Sequence, residues 1–128
     1  MSSLKVSLVI ASMKPEKLSE FYAFATNGDI KPGFNEDHYL IIHPCGLNIQ
    51  VYRPSERRTL SEKGRASSLC LQQAPSDKPI SAISEWVKNL ISRGAVVFEQ
   101  PKLESFGAES WLIDPEGNYF LIVVPRND

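Results

Sequence analysis

The sequence predicts an α+β fold: two βαβββ modules whose curled, mixed sheets surround a cleft. Two observations predict this class. The same order of strand and helix patterns occurs in both halves of the chain, and a charged segment poor in apolar residues separates the halves. We expect a single domain over residues 1–128, with a first module at about 4–53, a connector at 54–66 and a second module at about 67–125.

The first module opens with an alternating strand at 4–11 and continues into a helix. Pro15 suits the first turn of that helix, and Asn27 with Gly28 predicts its end because both residues tolerate the left-handed conformation. Three strands follow, the first of them weakened by a proline and a glycine. They are predicted at 29–34, 38–43 and 47–52.

The second module repeats this order after the connector. A strand is predicted at 67–73 and a helix from about Ile80 to Ser92. The buried stripe of that helix is predicted to comprise Ile80, Ile83, Trp86 or Val87, Leu90 and Ile91. The segment Pro101–Ala108 is predicted as a loop. The remaining strands are predicted at 95–99, 110–113 and 119–124.

The bulk composition excludes several classes of protein. A hydrophobic content of 42% and a charged content of 23% are ordinary for a globular domain, and a net charge of −1 argues against a nucleic-acid-binding face. No apolar run approaches the ~20 residues that a membrane span needs. The start of the chain lacks a signal-peptide layout, and two cysteines, Cys45 and Cys70, do not make a disulfide framework. We therefore expect a cytoplasmic protein.

The most informative motif is Asp114-Pro-Glu-Gly-Asn118, a turn that leads into an apolar strand. This turn and strand resemble the last hairpin of the vicinal oxygen chelate superfamily, which includes glyoxalase I, ring-cleaving dioxygenases and bleomycin resistance proteins. The strand that starts at Ser7, followed by Phe21 and Tyr22 on the helix, resembles the opening of that family. The strand that starts at Ser68 resembles the first strand of the family's second module. The resemblance covers nearly the whole chain and implies the family's fold.

The resemblance also assigns the family's four metal-ligand positions. They correspond to Ser7, to Gln50, to Ser68 (or Ser67 in the neighbouring register) and to Leu121. A divalent cation in this fold needs imidazole and carboxylate donors, so we expect no metal and no cofactor. His38 and His43 cannot replace the missing donors together, because an odd spacing in a regular strand points them to opposite faces.

Strand alternation extends these four positions to a predicted ligand-facing set. The turn at Asp114 leaves the face of Trp111 open. The polar members of the set either line a pocket or lie on a solvent-facing sheet surface, and the sequence leaves both readings open. The predicted ligand-facing residues are Ser7, Val9, Asn48, Gln50, Tyr52, Ser68, Cys70, Gln72, Trp111, Tyr119 and Leu121.

The resemblance implies a metal-free protein similar to the bleomycin resistance branch, one that binds or sequesters a small organic molecule without catalytic residues. It also implies a homodimer. Two alternatives stay open. One is a metal-free enzyme of the lyase or isomerase type that uses Glu109, Tyr52 or Tyr119 as an acid or base. The other is a regulatory or scaffold subunit that contacts a protein partner through residues 53–66 and Pro101–Ala108.

Overall fold

The computed structural model describes residues 5–44, 46–55, 63–64 and 67–127. Over these ranges the chain forms two helices and two four-stranded mixed sheets, which confirms the predicted α+β class. The chain divides into two compact units, Met1–Ser61 and Glu62–Asp128. Most of the predicted connector and Cys45 lie outside the described residues. Neither described helix is long and apolar enough to cross a membrane.

The first unit contains one helix and one sheet. Its elements are β1 (Ser7–Ala11), α1 (Pro15–Thr26), β2 (Asp29–Pro32), β3 (His38–Ile42) and β4 (Asn48–Tyr52). The strands lie in the order β1-β4-β3-β2, with β1 parallel to β4 and the other neighbours antiparallel. Helix α1 covers one face of this sheet, and the buried apolar core there comprises Leu18, Phe21, Tyr22, Ile41, Ile49 and Val51. The other face is called here the open face of the first unit.

The second unit repeats this layout. Its elements are β5 (Leu69–Gln72), α2 (Pro79–Ile91), β6 (Val96–Glu104), β7 (Gly107–Ile113) and β8 (Tyr119–Pro125). The strands lie in the order β5-β8-β7-β6, and β5 runs parallel to β8. The buried apolar core of this unit comprises Ile83, Val87, Leu90, Ala95, Ala108, Leu112, Phe120, Ile122 and Val124.

Both helices begin with the same local structure. Ser12 Oγ accepts a hydrogen bond from the Lys14 N–H at 2.9 Å, and Ser76 Oγ accepts one from the Lys78 N–H at 3.0 Å. A proline follows each lysine at the first helical position, where its missing N–H is not needed. Helix α1 ends as predicted, because Asn27 adopts the left-handed conformation with φ of 55°.

The prediction of a loop at Pro101–Ala108 is wrong. Strands β6 and β7 extend through most of it and leave only Ser105 and Phe106 as the connection. Proline is rare in central strands, but β6 is an edge strand whose register is irregular between Glu99 and Lys102. Edge positions and irregularities tolerate proline, so Pro101 does not end the strand.

The predicted stripe of α2 is too wide. Ile83, Val87 and Leu90 are buried, which selects Val87 rather than Trp86 as the core residue. Ile80 and Ile91 are 38% and 48% exposed. Both residues lie in the terminal turns of the helix, where the sheet beneath does not cover the margins of the stripe.

The Asp114–Asn118 motif builds a turn held by one buried carboxylate. Asp114 is only 2% exposed, and its Oδ1 accepts hydrogen bonds from the backbone N–H groups of Glu116 and Asn118 at 2.8 and 3.0 Å. Its Oδ2 accepts one from Asn118 Nδ2 at 2.8 Å. Gly117 supplies the positive φ, 93°. The motif that carries the resemblance is therefore structural, since it joins β7 to β8.

Candidate functional site

Strand pairing brings the predicted residues of the first unit onto one face. β1 and β4 pair Ser7 with Asn48, Val9 with Gln50, and Ala11 with Tyr52. The residues between them on β4, Ile49 and Val51, are buried in the core. Because side chains alternate along a strand, the predicted set lies on the open face.

A chain of hydrogen bonds crosses the open face and links three strands. His38 Nε2 lies 3.0 Å from Gln50 Oε1, and Gln50 Nε2 donates to Ser7 Oγ at 2.8 Å. His38 is 9% exposed, so the network begins from a buried ring. The family resemblance assigned Ser7 and Gln50 to two metal-ligand positions. The structure places these two side chains in direct contact.

The backbone fixes the direction of every bond in this network. The Phe34 N–H donates to His38 Nδ1 at 2.9 Å, so Nδ1 carries no proton. The proton of the neutral ring therefore sits on Nε2, which donates to Gln50 Oε1. That bond orients the amide of Gln50 so that its nitrogen faces Ser7.

A cavity of about 380 Å³, within the size range of small-molecule sites, is lined by His38 and Gln50 of this network. Phe34 forms one wall: its ring stacks on His38 at a centroid distance of 5.4 Å and is 95% exposed. At the rim, Arg53 Nε lies 3.7 Å from Asp37 Oδ1. The cavity is lined by Val9, Phe34, Asn35, Asp37, His38, Gln50, Tyr52 and Arg53.

Asn48 lies on the open face but its side chain is engaged elsewhere. Its Oδ1 accepts a hydrogen bond from the His43 N–H at 2.8 Å and thereby closes the turn between β3 and β4. The His43 ring lies on the other side of the sheet, where Nε2 is 2.6 Å from Thr26 Oγ1 of α1. The predicted separation of His38 and His43 onto opposite faces is confirmed.

The donors of the open face do not fit a divalent cation. Ser7 and Gln50 are neutral, and both nitrogens of His38 are already bonded within the protein. Among the described residues, no three His, Cys, Asp or Glu side chains are grouped so that they could hold a metal ion. Since such an ion in this kind of site requires imidazole or carboxylate ligands, the chemistry of the donor set disfavours a metal.

The second unit places its predicted residues on one sheet face in the corresponding register. Cys70 pairs with Leu121 and Gln72 with Val123, as Val9 pairs with Gln50 in the first unit. Trp111 also pairs with Leu121, which assigns Trp111 to this face. Tyr119 packs edge-on against Phe98 at a centroid distance of 4.9 Å. Ser68 is exposed and immediately precedes β5.

The Cys70 thiol on the second unit's face is not activated. Burial, and secondarily the nearby carboxylate of Glu109, raises the pKa of the Cys70 thiol, so less thiolate forms at neutral pH. Glu109 itself lies 3.9 Å from Lys102 Nζ at the strand edge. This face offers an apolar surface rather than an acid–base pair.

A second cavity, of about 480 Å³, lies where α1 begins. Its walls carry three cations and three carboxylates, so opposite charges offset each other. It lacks the directional polar network of the open face. It is lined by Lys14, Pro15, Glu16, Lys17, Glu36, Asp37, Tyr39 and Arg53.

The sequence prediction missed five lining residues, Phe34, Asn35, Asp37, His38 and Arg53. His38 was weighed only as a metal ligand, although the β3–β4 hairpin pairs it with Tyr52, a residue of the predicted set. Counting outward from the turn between these strands would have found it. Phe34 gave no signal of this kind, because it lies in the turn before β3 and reaches the site through its contact with His38.

Solved structures resemble the chain in fold with little identity in sequence. A glyoxalase/bleomycin resistance protein/dioxygenase family enzyme from Burkholderia phytofirmans matches with a TM-score of 0.73 and 16% identity, over 91% of this chain and 94% of that one. A glyoxalase/bleomycin resistance protein from Albidiferax ferrireducens matches with a TM-score of 0.67 and 20% identity, over 95% and 98%.

A third match is a mutant of the fosfomycin resistance protein FosX from Listeria monocytogenes, complexed with Mn(II) and 1S,2S-dihydroxypropylphosphonic acid. Its TM-score is 0.71 at 14% identity, over 98% of this chain and 92% of that one. No protein-family model and no curated protein matches the sequence. The chain thus has the vicinal oxygen chelate fold that glyoxalase, bleomycin resistance and dioxygenase family proteins share.

Proposed function

We propose that the protein binds a small organic molecule on the open face of the first unit, without a metal ion. The observation that carries this proposal is the partly buried His38–Gln50–Ser7 network, of which His38 and Gln50 line a cavity of about 380 Å³. Apolar and aromatic walls around a few oriented polar groups are the usual composition of a small-molecule site. Val9, 55% exposed, and Phe34 supply the apolar surface that a ligand would cover.

The geometry favours binding over catalysis. Ser7 carries the hydroxyl of the network, but its Oγ contacts the Gln50 amide and not a histidine nitrogen. His38 bonds to that same amide, so no described base receives the hydroxyl proton of Ser7. The network therefore supplies oriented polar groups for binding, and it does not supply a described base that would activate Ser7 as a nucleophile.

The solved structures of similar fold support small-molecule binding in general, without identifying the ligand. The FosX structure holds a small phosphonate together with Mn(II), so this fold accommodates small polar molecules. In the present chain a neutral hydrogen-bonding network occupies the positions that we aligned with two metal ligands. The proposal also retains two expectations from the sequence, a homodimer and a cytoplasmic location.

Isopropylbenzene titrated into the ¹⁵N-labelled full chain tests the binding site. We expect the amide signals of Val9, Phe34 and Gln50 to shift, because a ligand over the network changes their surroundings. The variant Val9→Arg should abolish these shifts by filling the cavity. Val96→Arg is the matched control, since Val96 of the second unit is similarly exposed, at 59%. Equal binding by both variants would refute the proposed site.

A further inference from the structure

Gln50 and Ser7, in the network at the cavity of the first unit, have hydrogen-bond donors that the network itself does not use. Gln50 Nε2 carries two N–H groups, and one of them donates to Ser7 Oγ. The Ser7 hydroxyl accepts that bond and keeps its own proton. Among the described residues, neither the second Gln50 N–H nor the Ser7 O–H has an acceptor. Gln50 lines the cavity, so its second N–H is available to a ligand there, and the Ser7 O–H lies beside the same amide nitrogen.

The acceptors of the network are already partly satisfied. His38 Nδ1 accepts from the Phe34 N–H, Gln50 Oε1 accepts from His38, and Ser7 Oγ accepts from Gln50. A covering ligand would remove water from all of these groups. An unpaired donor is costlier to bury than an oxygen that already accepts one bond, because the oxygen has lost only its second partner.

The charged residues at the rim of the cavity do not change the need for a ligand group that accepts hydrogen bonds. Asp37 and Arg53 lie close enough for their charges to offset each other, and both side chains are about half exposed, at 51% and 45%. Asn35 Oδ1 accepts from the Asp37 N–H at 2.8 Å. The donors of Gln50 and Ser7 therefore determine which ligand group matches the site.

We infer that the ligand presents an acceptor oxygen, of the carbonyl, carboxylate or phosphoryl class, to the Gln50 N–H and the Ser7 O–H, with an apolar body against Val9 and Phe34. This inference rests on the proposed function, which it narrows to one class of ligand. The backbone N–H of Phe34 sets the preference, because it fixes the proton of His38 on Nε2 and so makes the far side of the Gln50 amide, next to Ser7, the donor nitrogen.

Three aromatic probes of similar size test the inference on the full chain. Acetophenone carries an acceptor only, indole carries an N–H donor, and isopropylbenzene carries neither. We expect acetophenone to bind at least about 5-fold more tightly than isopropylbenzene, the gain of one net hydrogen bond, and to shift the side-chain amide signals of Gln50. Indole should bind no more tightly than isopropylbenzene.

Each outcome has a distinct meaning. Indole binding as tightly as acetophenone would overturn the acceptor preference and leave the proposed binding site intact. No shift at Val9, Phe34 or Gln50 with any probe would overturn the proposed function as well.

A matched pair of variants isolates the amide. Gln50→Glu replaces the donor nitrogen by a carboxylate oxygen, which can accept a hydrogen bond from the Ser7 O–H, so that neither donor is left for a ligand. We expect the ratio of acetophenone to isopropylbenzene affinity to fall to about one in this variant. Gln100→Glu, the same change at an exposed position of β6, should keep the wild-type ratio. A Gln50→Glu protein that retains the ratio would contradict the inference.

Discussion

The position of His38 depends on a residue without a side chain. A Cβ added to Gly33 would overlap the His38 imidazole and the carbonyl oxygen of that residue. The Gly33 N–H also donates to the His38 carbonyl at 2.8 Å, so the backbone cannot easily move away. Glycine at this position lets the ring approach the turn and accept the Phe34 N–H.

Gly33→Ala should therefore disrupt the network from outside the cavity. We expect a loss of about 1–3 kcal/mol in the free energy of unfolding, as for other overpacked sites, together with shifted side-chain amide signals of Gln50. Gly64→Ala is the control, because no atom of the described residues lies within 4 Å of a Cβ added to Gly64. Urea unfolding measures both variants, and a Gly33→Ala protein as stable as Gly64→Ala would show that His38 is not held in this way.

At the scale of elements, the two helices start with the same four-residue pattern, Ser-Met-Lys-Pro in one unit and Ser-Asp-Lys-Pro in the other. The two serines differ in burial: Ser12 is 0% exposed, whereas Ser76 is only partly buried and its hydrogen bond is exposed to solvent. An unpaired N–H costs more where water cannot replace the lost partner. The two starts are alike in geometry but not in energy.

Replacing each serine by alanine tests this difference. We expect Ser12→Ala to lower the free energy of unfolding by about 1–3 kcal/mol, because the Lys14 N–H loses an acceptor whose side chain is buried and whose hydrogen bond is partly buried. Ser76→Ala should cost about 0.5–1 kcal/mol, since water can reach the Lys78 N–H. Denaturant unfolding compares the pair, and equal losses would contradict the role assigned to burial.

The order of the helices and strands could be predicted because a local sequence pattern indicates most of these elements. Alternating apolar and polar residues predict β1. A proline predicts the start of α1, and an Asn-Gly pair predicts its end. The Asp114 turn predicts the connection between β7 and β8. The β6–β7 hairpin could not be predicted in the same way. Its edge position, which allows Pro101 to remain within a strand, depends on sheet order, and sheet order is a property of the folded chain.

At the scale of the whole molecule, the fold and the site differ in how far the sequence reveals them. The fold follows from a repeated element order and a structural turn motif, and structures at 14–20% identity share it. Ser7 and Gln50 could be predicted from the family resemblance, and strand alternation added Val9 and Tyr52 to the same face. The network that joins Ser7 and Gln50 to His38 could not be predicted, because it depends on the register of two strand pairs and on the turn that carries Phe34.

The same comparison separates fold from chemistry. Similar folds can hold a metal ion, as the FosX structure with Mn(II) does, while the described donors of this chain are neutral at the aligned positions. A shared fold does not assign activity, so the claim of metal-independent binding depends on the donor set alone. A direct measurement of metal content and of retained ligand therefore decides it.

Elemental analysis combined with native mass spectrometry is that measurement, made on protein purified without chelators and without a nickel affinity step. The account predicts no stoichiometric metal and a mass increase from a retained small molecule, or from added acetophenone, that Val9→Arg abolishes. About one metal ion per chain, lost together with ligand binding on treatment with a chelator, would contradict the account.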